Sequence, residues 1–391
     1  MKVIILIIGL LIFNPFAKGQ DLEKLLAEIS SNNNRLKALR ELTDAQKLSN
    51  KKELNPANPE IEFNYLWGDQ PQLGNRKDLK VVQSFDFPTS YSHRSQIAKL
   101  RNNQSDLEYR REYLSVMHSA TQLYIEMVYL NSYITELTSR TENSRILAQA
   151  MELRLQKGEA NILEYNKAIL DYANQQRLLE EQTSRRRVIN TEMEALNGGK
   201  AITVNSSEPY LRNIEPDFEK WYQTIMNSNP DIRWIEEESL INARMVKLNT
   251  SLALPKFTAG YMSESLPDEQ FSGITVGMTI PLWEHRNTVK SSRLRSMANQ
   301  SLAADMQQQY YYILKANHEK VITLLNNAKK YRSEVESHTN ADFLKRAFDS
   351  GEISLIEYLT ELTFYYESIN QMLSLEREAG IAAAELLYYE K

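Results

Sequence analysis

Two glutamates, Glu164 and Glu357, occupy the same place in two near-copies of one octapeptide. Gly158 to Tyr165 reads GEANILEY, and Gly351 to Tyr358 reads GEISLIEY. Each copy lies between two long helical patterns. A glycine there lets the first helix end in a left-handed cap, and Asn161 or Ser354, three residues on, can cap the next. Each copy therefore reads as a tight helical hinge with one carboxylate in the first turn of the second helix, where the helix dipole favours an acid.

No other side chains gather into a reactive pattern. The five histidines, His93, His118, His285, His318 and His338, lack close metal-ligand spacing. There is no cysteine, so no disulfide, thiolate metal site, catalytic thiol or lipid-bearing cysteine. No Ser/His/Asp arrangement, phosphate loop or paired-acid site is legible. Arg185, Arg186 and Arg187 share their helix with Glu180, Glu181, Glu192 and Glu194, which reads as a solvated face. With a net charge of -5 there is no electrostatic case for nucleic acid. The expectation is a non-enzyme with no cofactor and no metal site.

The elements that position the hinges follow from punctuation and period. Residues 1–19 form a signal peptide: Lys2, an apolar run from Val3 to Phe13, and small residues at Ala17 and Gly19. No later stretch is apolar enough for a membrane helix. Asp21 to Leu54 is helical, with a break expected in the Asn-rich Ser31–Asn34. Then the period changes to two. Residues 59–67 place Ile61, Phe63, Tyr65 and Trp67 on one face, and residues 79–87 do so with Leu79, Val81, Phe85 and Phe87. Together they predict a β-hairpin, ended by Pro88. No proline or glycine interrupts Thr89 to Lys157, which predicts one helix about 100 Å long. The Gly158 hinge follows, then a return helix to Asn197 and a linker over 198–216.

The second half repeats this order. Helices over 217–227 and 230–252 precede strands at 256–263 and 272–280, Pro281, a helix over 282–350, the Gly351 hinge and a return helix. Pro281 and Gly351 each stand 193 positions after Pro88 and Gly158. The domains expected are thus 20–208 and 209–391, two copies of helix, hairpin, long helix, hinge, helix. Strands of about nine residues suit a tilted crossing of a bilayer. Their apolar and polar faces alternate as lipid and lumen faces do. Phe63, Tyr65, Trp67, Phe87, Tyr261, Phe271 and Trp283 fall near strand ends, where an aromatic girdle sits. Four strands cannot close in lipid with open edges, so the chain must share its barrel with copies of itself.

In the order, duplication and spacing of these features the sequence resembles the TolC family of outer-membrane efflux proteins over essentially the whole mature chain. The carrying features are Pro88 and Pro281 at the strand ends, the Asn229-Pro230 opening of the second half, and the two glycine-led hinges. The resemblance implies a mainly α fold with a membrane β-barrel. A homotrimer would build twelve strands in the outer membrane, among its lipids, continued by an α-helical barrel across the periplasm. It implies an exit duct for substrates driven by an inner-membrane pump, of the RND type, through a periplasmic adaptor that grips the hinges at Gly158, Glu159, Gly351 and Glu352. It puts Glu164 and Glu357 at the periplasmic constriction. Phe348 stands where the family often has a tyrosine, and Ile353 where a basic residue occurs. Pro281 to Asn287 (PLWEHRN) resembles the strand exit of the heavy-metal branch. The alternatives are a soluble periplasmic coiled-coil adaptor, a structural coiled-coil spacer, and the outer-membrane component of a protein secretion system.

Overall fold

Runs poor in glycine and proline become long helices, and runs of period two become strands. The computed structural model describes residues 20–69, 74–226, 228–283, 285, 287–338 and 341–388. The predicted signal peptide lies outside them. In chain order the elements are α1 (Gln20–Asn32), α2 (Asn34–Asn50), β1 (Glu60–Trp67), β2 (Asn75–Phe85), α3 (Pro88–Gln156), α4 (Ile162–Leu196), α5 (Phe218–Met226), α6 (Pro230–Leu252), β3 (Lys256–Ser265), β4 (Gln270–Thr279), α7 (Thr288–Ser337), α8 (Ala341–Asp349) and α9 (Leu355–Leu387). The expected break in the first helix is a single residue. Asn33 leaves the helix and its Oδ1 accepts from the Leu36 N–H at 3.0 Å, capping α2, while its Nδ2 donates to the Leu196 carbonyl at 2.8 Å.

Several boundaries differ from the sequence reading: β3 runs on to Ser265 and β4 spans Gln270–Thr279. Strand β2 starts four residues early and stops at Phe85. Asp86 is drawn off to the start of α3, where its backbone N–H donates to Tyr91 Oη at 3.2 Å and its carboxylate accepts from Arg94 at 2.6 Å. Pro88 is therefore the first residue of α3, a position that needs no N–H. Pro281 lies beyond β4, in the connection to α7. The helix expected from Leu282 begins only at Thr288, because Asn287 takes a left-handed conformation, φ 68°, that asparagine tolerates better than most residues. That helix also stops at Ser337, and α8 resumes at Ala341; Thr339 and Asn340 lie outside the described residues. Glu284 and Arg286 of the strand-exit motif, and Asn227, also lie outside them.

The chain divides into two compact units that cut across its sequence halves. Of the described residues, unit 1 takes those up to Leu36, Tyr113–Ile225 and those from Leu314 on; unit 2 takes those within Lys37–Glu112 and Met226–Ile313. Unit 1 is helical. Its largest core gathers Leu25 and Ile29 of α1, Ala120, Tyr124 and Val128 of α3 and Met193 of α4. A second core lies beneath the hinges. Unit 2 holds all four strands and a smaller core of Ile97, Ile241 and Leu248.

The strands form one antiparallel sheet in the order β1-β2-β3-β4. Its register sets Ile61 beside Val81, Val81 beside Tyr261 and Tyr261 beside Ile274. Directly paired residues project to the same face, so each apolar set adds to one continuous surface. Phe63, Leu79, Phe85, Phe257, Val276 and Met278 join it. The opposite face carries Glu62, Lys80, Asn64, Asp78, Thr258 and Thr275. The apolar face is uncovered, Ile274 being 86% and Val276 77% exposed.

At Gly260 the backbone of β3 lies close against that of β2. A Cβ there would stand 2.2 Å from the Val81 carbonyl oxygen, whereas at Gly273 it would meet nothing within 4 Å. Gly260→Ala should therefore lower the melting temperature of the purified protein, at a cost of about 1–3 kcal/mol. Gly273→Ala should stay within about 0.5 kcal/mol of wild type. Equal effects of the two would contradict the register.

Candidate functional site at the helical hinges

Both hinges close their first helix in the same way. Gly158 has φ 76° and Gly351 φ 78°. The Glu159 N–H donates to the Arg154 carbonyl at 2.8 Å and the Gly158 N–H to Leu155 at 3.0 Å. The Glu352 N–H donates to Ala347 at 2.9 Å and the Gly351 N–H to Phe348 at 3.1 Å. This paired bonding satisfies carbonyls that a helix end leaves open. Nothing lies within 4 Å of a Cβ at either glycine, so the backbone sign, not space, demands glycine. The side chains of Glu159 and Glu352 are exposed.

The second helices also start alike. Asn161 Oδ1 accepts from the N–H groups of Leu163 and Glu164 at 2.9 and 3.0 Å, and Glu164 Oε2 accepts from the Asn161 N–H at 2.9 Å. Ser354 Oγ accepts from the Glu357 N–H at 3.2 Å, and Glu357 Oε2 from the Ser354 N–H at 2.8 Å. Each is a reciprocal capping box. One oxygen of each carboxylate is thus engaged in the cap. Glu164 is half-buried and Glu357 exposed. The Ser354 backbone N–H, and then its hydroxyl, hold the Glu357 carboxyl below the usual carboxylate range.

A shared apolar base brings the two hinges together. Ala148 and Met151 of α3 and Ala168 of α4 pack in one cluster with Phe348 of α8 and Leu355, Tyr358, Leu359 and Leu362 of α9. Ala160, Tyr165 and Ile353 from the turns lie against it. Phe348 stacks on Tyr358, with centroids 4.9 Å apart, and the Arg154 guanidinium stands 5.6 Å from the Phe348 centroid. Burial pushes the Tyr358 hydroxyl up, helped by Asp349 and Asp171. Above this base Leu163, 75% exposed, and Ile356 face solvent.

The sequence reading missed a buried polar site on the same helices. Arg140 is 3% exposed. Its Nη1 donates to Asn370 Oδ1 at 2.9 Å, its Nε lies 3.5 Å from Glu136, and its guanidinium sits 4.2 Å over the Tyr366 ring. Burial lowers the Arg140 pKa and pushes the Tyr366 hydroxyl up to about 12. Ser144 Oγ donates to Asp171 Oδ2 at 2.5 Å nearby. The available signal was the stripe Leu137, Arg140, Ser144, Ala148, Met151, all buried, in which two polar residues interrupt an apolar face. Among the described residues no group of three or more His, Cys, Asp or Glu could hold a metal.

The caps generate a pH prediction. The folded pKa of Glu357 is depressed, so its stabilising contribution is present above the ordinary carboxylate pKa of 4.5 and is lost as pH falls through the lowered folded value. Amide exchange of the first turn of α9, corrected for intrinsic rates, should lose protection on acidification. Glu357→Gln should flatten that dependence. Ser354→Ala should weaken the helix start by about 1 kcal/mol; unchanged protection would remove the cap from the account.

No family profile and no curated protein sequence matches the chain. Solved structures do. The CmeC outer membrane channel of Campylobacter jejuni matches with a TM-score of 0.76 at 16% identity, over 95% of this chain and 85% of that one. The outer membrane protein VceC of Vibrio cholerae matches with a TM-score of 0.75 at 12% identity, over 95% and 96%. The open state of the MtrE outer membrane channel of Neisseria gonorrhoeae gives 0.72 at 13% identity, over 95% and 88%. The chain therefore has the outer-membrane-channel fold that its resemblance to the TolC family implied.

Proposed function

We propose that this chain is one of three identical protomers of an outer-membrane exit duct, the passive last stage of a tripartite efflux system. The observation that carries this reading is the sheet. Its strands of 8 to 11 residues have one continuous apolar face open to the surroundings and a polar face opposite. Strands β1 and β4 each have one unpaired edge within the chain. Unpaired edges are not tolerated in lipid, and three such sheets joined edge to edge make a closed twelve-stranded barrel. The apolar face then meets outer-membrane lipid and the polar face lines the bore. A soluble coiled-coil adaptor would need that face covered. Exposed Leu294, Leu302, Met306 and Ile313 along α7 support packing against neighbouring copies.

On this reading the two sequence halves are duplicated repeats that together supply the four strands and the hinged helices of each protomer. The hinge turns at Gly158, Glu159, Gly351 and Glu352 meet a periplasmic adaptor, which joins the duct to an inner-membrane pump of the RND type. Threefold assembly brings Glu164 and Glu357 into an acidic mouth of up to six carboxylates. Such a ring favours cations over anions. Glutamate caps the helix through one oxygen and keeps the other for the pore, so both roles are compatible.

Two outcomes test the barrel and the mouth separately. The detergent-solubilised protein should have the mass of a trimer. Arginine at Phe63 or Val276 should destabilise assembly by about 2–4 kcal/mol, and arginine at Asn64 or Thr275 much less; a stable folded monomer, or equal tolerance on both faces, would sink the barrel. In planar bilayers the channel should be cation-selective and blocked by multivalent cations. Glu164→Gln with Glu357→Gln preserves an acceptor for each cap while removing the charge, so selectivity and block should weaken together with the trimer intact. Wild-type selectivity in that variant would move the constriction elsewhere.

A further inference from the structure

The three consecutive arginines are not equivalent in the fold. Arg185 pairs with Glu126 at 2.5 Å. Arg186 and Arg187 turn to a different surface and line a groove of about 730 Å³ between α3, α4 and the following linker. Among the described residues neither has an ion-pair partner. One turn further along α4 stand Asn190 and Thr191, and Asn205 faces them from the linker. The linker wall is fixed by Asn131, whose Nδ2 donates to the carbonyls of Val204 and Ser206, each at 3.0 Å. The single acid in the groove, Glu194, accepts from Asn190 at 2.7 Å. Met127, Ile134 and Val204 supply apolar surface.

We infer that this groove binds a carboxylate-bearing glycan, such as a strand of the cell-wall polymer. Two unpaired guanidiniums select an anion and hold carboxylates through paired N–H donors. Neutral amides and hydroxyls beside an apolar floor match the hydroxyls and ring faces of a sugar. The groove is large enough for a ligand of drug-like or disaccharide size and is open to solvent, so a polymer can run through it. The inference rests on the periplasmic placement proposed above, because a duct that crosses the periplasm passes through the wall. Binding there would anchor the duct laterally without touching the hinges.

The test is co-sedimentation of the full-length protein, in detergent, with insoluble peptidoglycan sacculi and separately with chitin. Wild type should sediment with sacculi and not with uncharged chitin, less so as salt rises because Arg187 is exposed and Arg186 partly so. Arg186→Gln with Arg187→Gln should reduce retention about tenfold or more. Glu194→Gln, which removes the opposing charge, should increase it, with no more protein pelleting when sacculi are left out. Soluble muramyl-peptide fragments should compete; equal competition by inorganic phosphate would reduce the site to a general anion site and overturn the proposal, as would equal binding to chitin. The mass and conductance of the arginine variant separate the two readings. If both match wild type and wild type itself fails to sediment, the glycan site alone falls. If wild type is neither trimeric nor conducting, the duct falls as well.

Discussion

The pairing of β2 with β3 is the interaction on which the sheet depends. These strands lie about 170 residues apart in the chain, yet their register, Val81 opposite Tyr261 and Phe85 opposite Phe257, decides what every other side chain of the sheet does. A slip of one residue would turn β3 and β4 over and mix the apolar faces of the two hairpins with the polar ones. Gly260 guards this register, since only a residue without Cβ lets its backbone lie against Val81 and Val82. Hairpins alone would each be amphipathic. Joined in register they become one apolar surface with two open edges, and the demand for edge partners follows from that surface.

The hinges show the same economy on a smaller scale. A glycine at positive φ, two crossed backbone bonds, and a reciprocal cap of Asn or Ser with Glu turn the chain within a few residues and satisfy part of what the helix ends leave open. This explains why an acid stands at the same place in both hinges whether or not it lines a pore. The capping geometry needs one carboxylate oxygen only. Rigidity comes from beneath, where Phe348 stacks on Tyr358 and the two turns share one apolar core. Arg140 is a different kind of feature. A buried guanidinium loses hydration, and here Asn370, Glu136 and the Tyr366 ring offset the loss. Its Nε and Nη2 make no hydrogen bond among the described residues.

Local chemistry determined much of this protein in the sequence itself. Glycine scarcity gave the long helices, alternation gave the four strands, and the repeated octapeptide gave both hinges with their capping residues. Each of these is a short-range effect, set by φ preference, hydrogen bonds within four residues, or side-chain period, and so is written in contiguous residues. Helix ends were less legible. Nothing local announced that Asn287 would accept a left-handed conformation and delay α7, or that Arg94 would draw Asp86 out of β2.

Tertiary structure alone decided the rest, because it depends on residues far apart in the chain. The order β1-β2-β3-β4 and its single apolar face needed the β2–β3 register. The union of the hinges needed Ala148 and Ala168 to meet Phe348 and Leu359. The fate of Arg185, Arg186 and Arg187 needed Glu126 on another helix to take one of them and the linker, clamped by Asn131, to wall the other two into a groove. Burial of Arg140 needed Asn370, 230 positions away. A sequence names the charges and the faces; which charge is paired, which is buried and which is left for a ligand is fixed only when distant segments are brought into contact.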